Sequence, residues 1–463
     1  MMQKNALQIE NRRELFVDTY LIETLQRANL RLNPPTRREI VLKMDQPWEG
    51  PGSGVYSVVF RDENTSRMYY RATFPQNEND RTDGQACAYA ESQDGIHWER
   101  KNLGLISYDG QDTNLIVQGW SAHNFSPFLD GNPGCTLDER YKAVAGHRPQ
   151  GLFGYRSADG LHWEKCQEQP LFTDGAFDSH NLVFYDTNKQ KYVCYSRYFN
   201  QDMPQSDGGS LSTAVRAIQT NESADFINWS KPKPHTYDPG IPFEQFYTNA
   251  TVQCPGAEHL YLSFPMRFMP ERHKVPEHEK VGVSDNVIMS SRDGSHWTRS
   301  FLESWLRPGL DQRNWTQRSL IVAQGILETG DDFSLFINEN YAWDSACIRR
   351  VTVPRFRFGS VYADRRGGVL LTKPILFNGE RLRINYATSA PGSIRVGLVA
   401  ESGWPLPGYA AEDCDVVYGD ELERDVTWRG NPDLSFLRGK AVRFKFELTD
   451  ADLYAMQLVG QPD

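Results

Sequence analysis

The chain has 463 residues, a net charge of −10 and no long basic run, which argues against a nucleic-acid partner. Its 39% hydrophobic and 24% charged residues are typical of a globular protein, and no apolar run reaches the roughly 18–20 residues that a membrane helix needs. At this length, two or three domains are expected.

The first residues, MMQKNALQIENRRELF, lack the apolar stretch of a signal peptide. This favours a cytoplasmic location over secretion with the leader already removed. The seven cysteines are dispersed without a CxxC pair, which predicts buried thiols rather than disulfides or a zinc site. The sequence thus predicts no metal and no cofactor, and it leaves the oligomeric state open.

Residues 1–36 are predicted to form a lead-in strand and a proline-rich connection, LNPPTRR. From residue 37 to 360, short segments with period-two apolar alternation are separated by turn residues, which is typical of β-strands. These strands fall into five successive sets of three or four. The sets begin at VYSVVFRD, FSPFLD, NLVFYD, TNATVQ and RSLIVAQG. Since each set has the size of one four-stranded sheet, we predict a five-bladed β-propeller.

One motif closes each of the first four sets. Its copies are ESQDGIHWER (91–100), RSADGLHWEK (156–165), ESADFINWSK (222–231) and SSRDGSHWTR (290–299). Asp-Gly favours a tight turn, and the Trp on the next strand can fill the wedge between neighbouring blades. A catalytic centre needs different residues at one point rather than the same residue at four, so we interpret the motif as structural.

The fifth set lacks the motif, and this is where a ring of blades would close. An N-terminal strand, either 14–23 (ELFVDTYLIE) or 39–44 (EIVLKM), is expected to complete it. Residues 361–463 again alternate with period two but have no internal repeat. This stretch predicts a small C-terminal β-sandwich, so the expected fold class is all-β throughout.

The spacing S-x-D-x-x-x-W resembles the blade-closing motif of five-bladed glycoside hydrolases of families 32, 43 and 68. The copy SADFINW is the most similar, and the order of propeller then β-sandwich resembles family 32. The family 32 words NDPNG, RDP and EC are absent, so no particular substrate is implied. The resemblance implies a glycosidase in which two carboxylates flank the scissile bond. In these families the first blade supplies the base or nucleophile, and the third supplies the acid.

The candidate catalytic residues are the carboxylates that precede the first strand of a blade. Asp45 and Glu49 precede the first blade in KMDQPWEGPGSG, and Asp178 precedes the third in GAFDSHNLVFYD. Glu244, in PFEQFYTNA, competes for the acid role because aromatic neighbours would raise its pKa. A capped turn at the propeller rim is the alternative for the first two.

Candidate substrate-binding residues lie at the same blade entrances. Arg197 falls in a largely apolar run, so it must find a partner, and pairing with a carboxylate would lower the pKa of that carboxylate. Glu339 is expected to form an internal salt bridge. The full set comprises Trp48, His123, Asn124, His180, Arg197, Tyr247, Trp315, Arg318 and Glu339.

These observations favour a glycoside hydrolase that removes a terminal or near-terminal sugar with a carboxylate pair in the channel. A carbohydrate is therefore the expected partner. One alternative is a phosphorylase resembling family 130, in which Arg197, Arg267 and Arg318 would hold phosphate. The other is a propeller that binds carbohydrate without turning it over.

Overall fold

The computed structural model describes residues 6–73, 84–200, 215–278, 280–400 and 403–460. Strands make up nearly all regular structure in these ranges, which confirms the all-β prediction. Four short 3₁₀ helices occur among the described residues: Trp120–Asn124, Leu137–Glu139, Gln312–Asn314 and Ser435–Leu437. None of the helices in this part of the chain has the length and apolarity that crossing a membrane requires.

The chain divides into two units by its internal contacts. The larger unit is Thr36–Thr352, and the smaller unit combines Met1–Pro35 with Val353–Asp463. The candidate site lies within the larger unit.

The larger unit contains a series of antiparallel sheets, numbered here 1 to 5 along the chain. Sheet 1 consists of Val58–Asp62, Thr65–Thr73, Gln85–Ser92 and Leu115–Gln118. Sheet 2 consists of Ser126–Leu129, Tyr141–His147, Gly151–Ser157 and Glu164–Lys165. Sheet 3 consists of Leu182–Asp186, Lys191–Asn200, Val215–Ser223 and Lys233–Pro234. In each of them, strands adjacent in sequence are hydrogen-bonded neighbours.

Sheet 4 is split into two ladders. One ladder pairs Val252–Cys254, Ala257–Ser263 and Met289–Ser291, and the other pairs Gln245–Phe246, Met266–Met269 and Val283–Asn286. The break falls at Phe264-Pro265, where the proline has no N–H to donate to a ladder. The larger unit also contains two pairs of two-residue strands. Ser107–Tyr108 pairs with Gln111–Asp112, and Thr236–Tyr237 pairs with His296–Trp297.

Sheet 5 takes its last strand from the start of the larger unit. Leu327–Thr329, Asp332–Glu339 and Cys347–Pro354 are followed across the sheet by Thr36–Lys43, in a register that places Leu42 opposite Ile348. Of the two strands proposed to complete the fifth set, 39–44 is therefore the one that pairs there. The other, 14–23, overlaps two strands of the smaller unit, Arg13–Leu15 and Ile22–Gln26.

Apolar clusters join consecutive sheets. One cluster contains Tyr69 and Ala143 from sheets 1 and 2, the next contains Val144 and Val183 from sheets 2 and 3, and a third contains Val193 and Tyr261 from sheets 3 and 4. Met266 of sheet 4 shares a cluster with Ile321 and Tyr341 beside sheet 5. Phe336 and Ile348 of sheet 5 then pack with Met68 of sheet 1. The sheets are thus packed in a closed sequence.

The repeated motif is a set of local turns, as its sequence predicted. In the first copy, Asp94 Oδ1 accepts the backbone N–H groups of Ile96 and His97, each at 2.8 Å, and Ser92 Oγ accepts that of Gly95 at 2.9 Å. Trp98 Nε1 donates back to the Gly95 carbonyl at 3.3 Å. The second and third copies repeat the Asp and Trp hydrogen bonds, and in the third copy Phe226 replaces the glycine with φ of 68°. The structural interpretation of the motif is confirmed.

The smaller unit is built around one eight-stranded sheet. Its strands are Arg13–Leu15, Ile22–Gln26, Asn29–Leu32, Gly359–Ala363, Gly368–Thr372, Arg381–Val399, Asp420–Asp425 and Arg443–Val459. A parallel pair joins Leu7–Glu10 to Ile375–Phe377. The N-terminal segment thus contributes four strands, whereas its sequence indicated one lead-in strand and a connection. The core includes Phe16, Leu382, Val396 and Phe446.

Candidate functional site

Arg71 is the contribution of sheet 1 to a polar cluster in the larger unit. It lies on Thr65–Thr73, where the flanking residues are buried, and its own residue is 5% exposed. Its Nη2 donates to the Gly52 carbonyl at 2.7 Å and to Tyr341 Oη at 3.3 Å. Its Nη1 lies 3.5 Å from His123 Nδ1. Arg71 therefore connects sheet 1 to three segments. They are the segment before sheet 1, the segment before sheet 2, and the segment after the second strand of sheet 5.

Sheet 3 contributes the carboxylate of the cluster. Asp178 precedes the first strand of the sheet and forms an ion pair with Arg197 on the second strand. The Asp178 side chain is 43% exposed, whereas that of Arg197 is 3% exposed. Burial opposes ionisation of Asp178, but the charge and hydrogen bond of Arg197 outweigh it and lower the pKa of this carboxyl. The partner expected for Arg197 is thus Asp178, which is ionised at neutral pH.

Three arginines surround the ring of Tyr247. The guanidinium carbons of Arg197, Arg216 and Arg318 lie 4.9, 5.3 and 5.7 Å from its centroid. The Nε atoms of all three are buried and have no hydrogen-bond partner among the described residues. Burial alone would raise the pKa of Tyr247, but these three cations reverse the effect and lower it. Cation–π contacts with the Tyr247 ring stabilise the three guanidinium charges in part, whereas the three Nε donors have no hydrogen-bond partner among the described residues.

A second phenol, Tyr341, lies between two of the cations. Its Oη accepts hydrogen bonds from Arg318 Nη1 at 2.9 Å and from Arg71 Nη2 at 3.3 Å. Lys280 Nζ lies 5.9 Å from the centre of its ring. Burial raises the pKa of a phenol, but Arg71, Arg318 and Lys280 together lower the pKa of Tyr341 to about 7.

Two neutral histidines and a third tyrosine complete the cluster. The Tyr56 ring lies 5.6 Å from the rings of both His123 and His180. Burial lowers the pKa of each histidine to about 3, and for His123 the nearby Arg71 and Arg318 contribute as well. Gln85 Oε1 lies 2.5 Å from His123 Nδ1, whereas neither ring nitrogen of His180 has a hydrogen-bond partner among the described residues.

The charge balance of this cluster is strongly positive. Arg71, Arg197, Arg216, Arg318 and Lys280 supply five cations. Asp178 is the single carboxylate that pairs with any of them in the described part of the chain. Uncompensated buried charge is costly, so an arrangement of this kind is suited to holding an anion. The rings of Tyr56, Tyr247 and Tyr341 pack beside these charges.

Several backbone conformations around the cluster are unusual. Non-glycine residues with positive φ occur in several of the segments that contribute to it, although L side chains rarely adopt this region. These residues are Tyr56 (54°), Ala250 (44°), Arg318 (61°), Leu320 (68°), Asn340 (57°) and Ala342 (64°). Such conformations cost free energy and persist where the surroundings fix them, which is common at functional sites.

Of the residues proposed from sequence, six meet in this cluster. They are Asp178, His123, His180, Arg197, Tyr247 and Arg318. Sequence reasoning missed Tyr56, Arg71, Arg216, Lys280 and Tyr341. An arginine in an otherwise apolar strand selected Arg197, and the same signal was present for Arg71 in RMYYRATF and for Arg216 in STAVRAIQ.

The carboxylates proposed for the first blade have partners outside the cluster. Asp45 is exposed, accepts a hydrogen bond from Gln46 Nε2 at 3.0 Å and lies 3.9 Å from Arg100. The Glu49 side chain is fully buried, and its carboxylate accepts hydrogen bonds from Tyr70 Oη at 2.6 Å and from Arg100 Nη2 at 2.8 Å. Neither forms a hydrogen bond or ion pair with the cluster among the described residues. We therefore place both outside the candidate site.

Three further residues have partners that commit them to the fold. Trp48 Nε1 donates to Asn114 Oδ1 at 2.8 Å within the core. Asn124 is buried and exchanges hydrogen bonds with the backbone of Gly146 at 2.9 and 3.0 Å. Glu339 forms ion pairs with Arg37 at 2.9 Å and Arg349 at 2.6 Å, so it makes the salt bridge that its sequence context indicated.

Glu244 and Trp315, also proposed from the sequence, line a cleft of about 750 Å³. Glu244 pairs with Arg267 at 2.8 Å and with Arg299 at 2.5 Å, and Arg267 also pairs with Asp285 at 2.5 Å. The charges of Glu244, Arg267 and Asp285 are thus compensated by ion pairs. Trp315 Nε1 donates to the Gly309 carbonyl at 2.9 Å, which fixes the orientation of its ring.

No group of three or more His, Cys, Asp or Glu side chains with metal-binding geometry occurs among the described residues.

No family model matches this sequence. Among curated proteins, the chain is similar to the uncharacterized protein Rv1502 of Mycobacterium tuberculosis, at 23% identity over 151 residues. The similar region covers 32% of this chain and 47% of that protein, so the chain spans about half the length of the curated relative it matches.

Solved structures similar to the chain include glycoside hydrolase-type enzymes. A structure described as a glycoside hydrolase has a TM-score of 0.46 at 13% identity, covering 69% of this chain and 92% of its own. A family 43 arabinoxylan arabinofuranohydrolase from Bacillus subtilis, in complex with cellotetraose, has a TM-score of 0.41 at 10% identity, with 90% and 97% covered. A β-1,2-mannobiose phosphorylase from Listeria innocua has a TM-score of 0.43 at 12% identity, with 69% and 98% covered. The resemblance indicated by the sequence is found again among these structures.

Proposed function

We propose that the larger unit is a five-bladed β-propeller and the smaller unit a β-sandwich. The closed sequence of clusters that joins sheets 1 to 5 supports the propeller. So does the pairing of Thr36–Lys43 with Cys347–Pro354, which completes the last sheet with the first strand of the unit. In a propeller, the segments before the first strand of each blade meet at one mouth of the central channel. The arginine and tyrosine cluster would occupy this mouth.

We propose that the protein is a glycan-processing enzyme that cleaves a glycosidic bond next to an acidic sugar. The observation that carries the proposal is the set of five cations around one carboxylate, packed among the rings of Tyr56, Tyr247 and Tyr341. Sites for small ligands combine aromatic side chains with a few fixed polar groups that orient the ligand. The cations supply what a carboxylate or other oxyanion on the sugar requires.

Asp178 is the group best suited to act at the anomeric carbon. Its ion pair with Arg197 keeps it ionised, so it can serve as nucleophile or base, or stabilise an oxocarbenium-like transition state. A lowered pKa makes it a poor proton donor. The carboxylate pair expected from the sequence is replaced in this proposal by one carboxylate and a proton donor of another type.

A second candidate function is phosphorolysis. The Nε donors of Arg197, Arg216 and Arg318 have no partner among the described residues, and a phosphate ion would satisfy three such donors as well as a sugar carboxylate would. In that case phosphate, rather than water, would add to the anomeric carbon as the glycosidic C–O bond breaks. The anion would then be a co-substrate and not part of the glycan.

Product release from oligosaccharides tests these proposals. The protein is incubated with acidic oligosaccharides that carry a uronic acid and with neutral ones, each with and without inorganic phosphate, and products are separated by chromatography. Hydrolysis of acidic substrates without phosphate supports the first function, and formation of a sugar phosphate from neutral substrates supports the second. Binding of sugars without product in any mixture, unchanged in Asp178→Asn, would overturn both and leave a carbohydrate-binding protein.

A further inference from the structure

Tyr341 lies in a tightly fixed loop directly after the strand Asp332–Glu339. Its neighbours Asn340 and Ala342 both have positive φ, at 57° and 64°. The backbone N–H of Ala342 donates to the Pro51 carbonyl at 2.8 Å, and that of Tyr341 donates to Ser319 Oγ at 3.3 Å. Residues on either side of Tyr341 are thus held in costly conformations by two other segments of the larger unit. The phenol is therefore presented in one fixed direction.

The phenol oxygen of Tyr341 accepts hydrogen bonds from cations and, among the described residues, contacts no carboxylate. Arg318 Nη1 and Arg71 Nη2 both donate to it, at 2.9 and 3.3 Å. An oxygen that accepts from two guanidinium groups is stabilised as a phenolate, because both contacts favour the negative form. This explains why its pKa lies near neutrality and not near the value of about 10 that is usual for tyrosine.

The charged and titratable groups around Tyr341 come from several elements. Arg71 lies on sheet 1, Arg318 on the segment before sheet 5, and Lys280 on the loop that follows Met266–Met269 in sheet 4. Tyr247 shares Arg318 with it, and His123 shares Arg71. Because burial keeps His123 neutral, with its pKa lowered to about 3, it is unsuited to proton transfer near neutral pH.

We propose that Tyr341 is the proton-transfer group of this site, an inference that rests on the proposed cleavage of a glycosidic bond. As the C–O bond breaks, its electron pair goes to the leaving oxygen, which takes the proton from Tyr341 Oη. The resulting phenolate then takes a proton from the water whose oxygen forms the new bond to the anomeric carbon. One water is consumed, and the phenol is restored.

The anion of the substrate adjusts Tyr341 for this role. A carboxylate bound between Arg71 and Arg318 offsets part of the positive charge that favours the phenolate. The pKa of Tyr341 therefore rises when substrate binds, and the group takes up a proton before the bond breaks. Proton transfer is most efficient when the pKa lies near the working pH. The pKa values of Tyr341 in the free and the substrate-bound protein would lie on either side of that pH.

Titration of the phenolate absorption in the ultraviolet tests the inference without a substrate. The free protein is expected to show one phenolate that forms near neutral pH, and Tyr341→Phe is expected to lack it. Arg318→Gln should move this titration to higher pH, whereas Arg318→Lys, which keeps the charge, should move it less. Tyr69→Phe is the matched control, because Tyr69 is equally buried but its pKa is raised by burial. Identical titrations for the wild-type protein and Tyr341→Phe would overturn the inference.

Kinetics then separate the inference from the proposed function. With an acidic oligosaccharide that the wild-type protein cleaves, Tyr341→Phe is expected to lower kcat by about 10²–10⁴-fold and to remove one limb of its pH profile. Unchanged kcat in this variant would overturn the role of Tyr341 while the proposed function stands. Failure of the wild-type protein to cleave any glycoside would overturn the proposed function, and the inference with it, even where the titration is present.

Discussion

Charged residues in this protein differ in whether the fold already satisfies them. Glu49, Glu244 and Glu339 each contact two side-chain partners, at distances that define strong ion pairs or hydrogen bonds. Arg216 and Arg318, in contrast, form no ion pair with a carboxylate among the described residues, since Arg216 donates to Gln245 and Arg318 to Tyr341. Paired charges stabilise the fold, whereas cations without a carboxylate partner cost stability and favour an anionic ligand. The distinction separates Glu49, Glu244 and Glu339 from the candidate site.

Replacing Glu49 with alanine tests this distinction for a carboxylate that the sequence nominated. The change leaves Arg100 and Tyr70 without their buried partner, so the free energy of unfolding is expected to fall by about 3–5 kcal/mol. Asp178→Asn is expected to change stability less, because the amide oxygen can still accept a hydrogen bond from the buried Arg197, and to abolish turnover. Chemical denaturation measures both variants. A Glu49→Ala protein of wild-type stability with lost activity would contradict the structural role.

Position before a strand was enough to identify some site residues from sequence and misleading for others. Asp178 and His180 precede a strand by a few residues and do enter the cluster. Asp45 and Glu49 have the same kind of context, yet one faces solvent and the other turns into the core. Which way such a side chain turns depends on partners such as Arg100, which lies 51 residues away from Glu49 in sequence. No local pattern carries that information.

The repeated motif has two structural roles in sheets 1 to 4 of the larger unit. The Ser and Asp satisfy backbone N–H groups in the turn, and the Trp packs against the preceding sheet, as Trp98 of sheet 1 does against Phe336 of sheet 5. The copies are not equivalent, because Trp297 is fully buried and stacks on His235 at 5.3 Å, whereas Trp163 is only partly buried. The four turns should therefore contribute unequally to stability.

Alanine substitutions at these two tryptophans test the prediction. Trp297→Ala is expected to lower the free energy of unfolding by about 3–5 kcal/mol, because it leaves a large cavity in the core between sheets 3 and 4. Trp163→Ala should cost less, since its ring is already in part exposed. Both proteins should keep their activity at temperatures where they remain folded. Denaturant titration gives the two values, and lost activity at unchanged stability would mean that the motif belongs to the site.

At the scale of the whole molecule, the main feature is that distant parts of the chain complete each unit. Thr36–Lys43 pairs with Cys347–Pro354 in the larger unit, and Arg13–Leu15 pairs with Arg443–Val459 in the smaller one. The order of the strands in sheets 1 to 5 could be predicted from alternation and turn residues, whereas the sequence indicated one of the four N-terminal strands. The pairing of strands some 300–440 residues apart could not be predicted, because both partners have ordinary strand patterns that fit several neighbours.

The strand that completes sheet 5 is expected to hold the larger unit together. Leu42 is buried between sheets 5 and 1, so Leu42→Ala should lower the free energy of unfolding by about 2–5 kcal/mol. If the sheets form one closed ring, hydrogen exchange should rise in sheets 1 to 5 together. Ile40→Ala on the same strand is the control, because Ile40 is 40% exposed. Faster exchange confined to sheet 5 would contradict a closed ring.

The central claim is that the cation cluster recognises an anion on the substrate, and a matched pair of substrates tests it most directly. The pair consists of an oligosaccharide with a uronic acid and the same oligosaccharide with that carboxylate reduced to a neutral alcohol. A hydrogen bond to a charged group contributes about 1.5–3 kcal/mol, so reduction should lower kcat/KM by about 10–150-fold in the wild-type protein. In Arg216→Gln the difference between the two substrates should shrink. Equal kcat/KM for both substrates in the wild-type protein would contradict the claim.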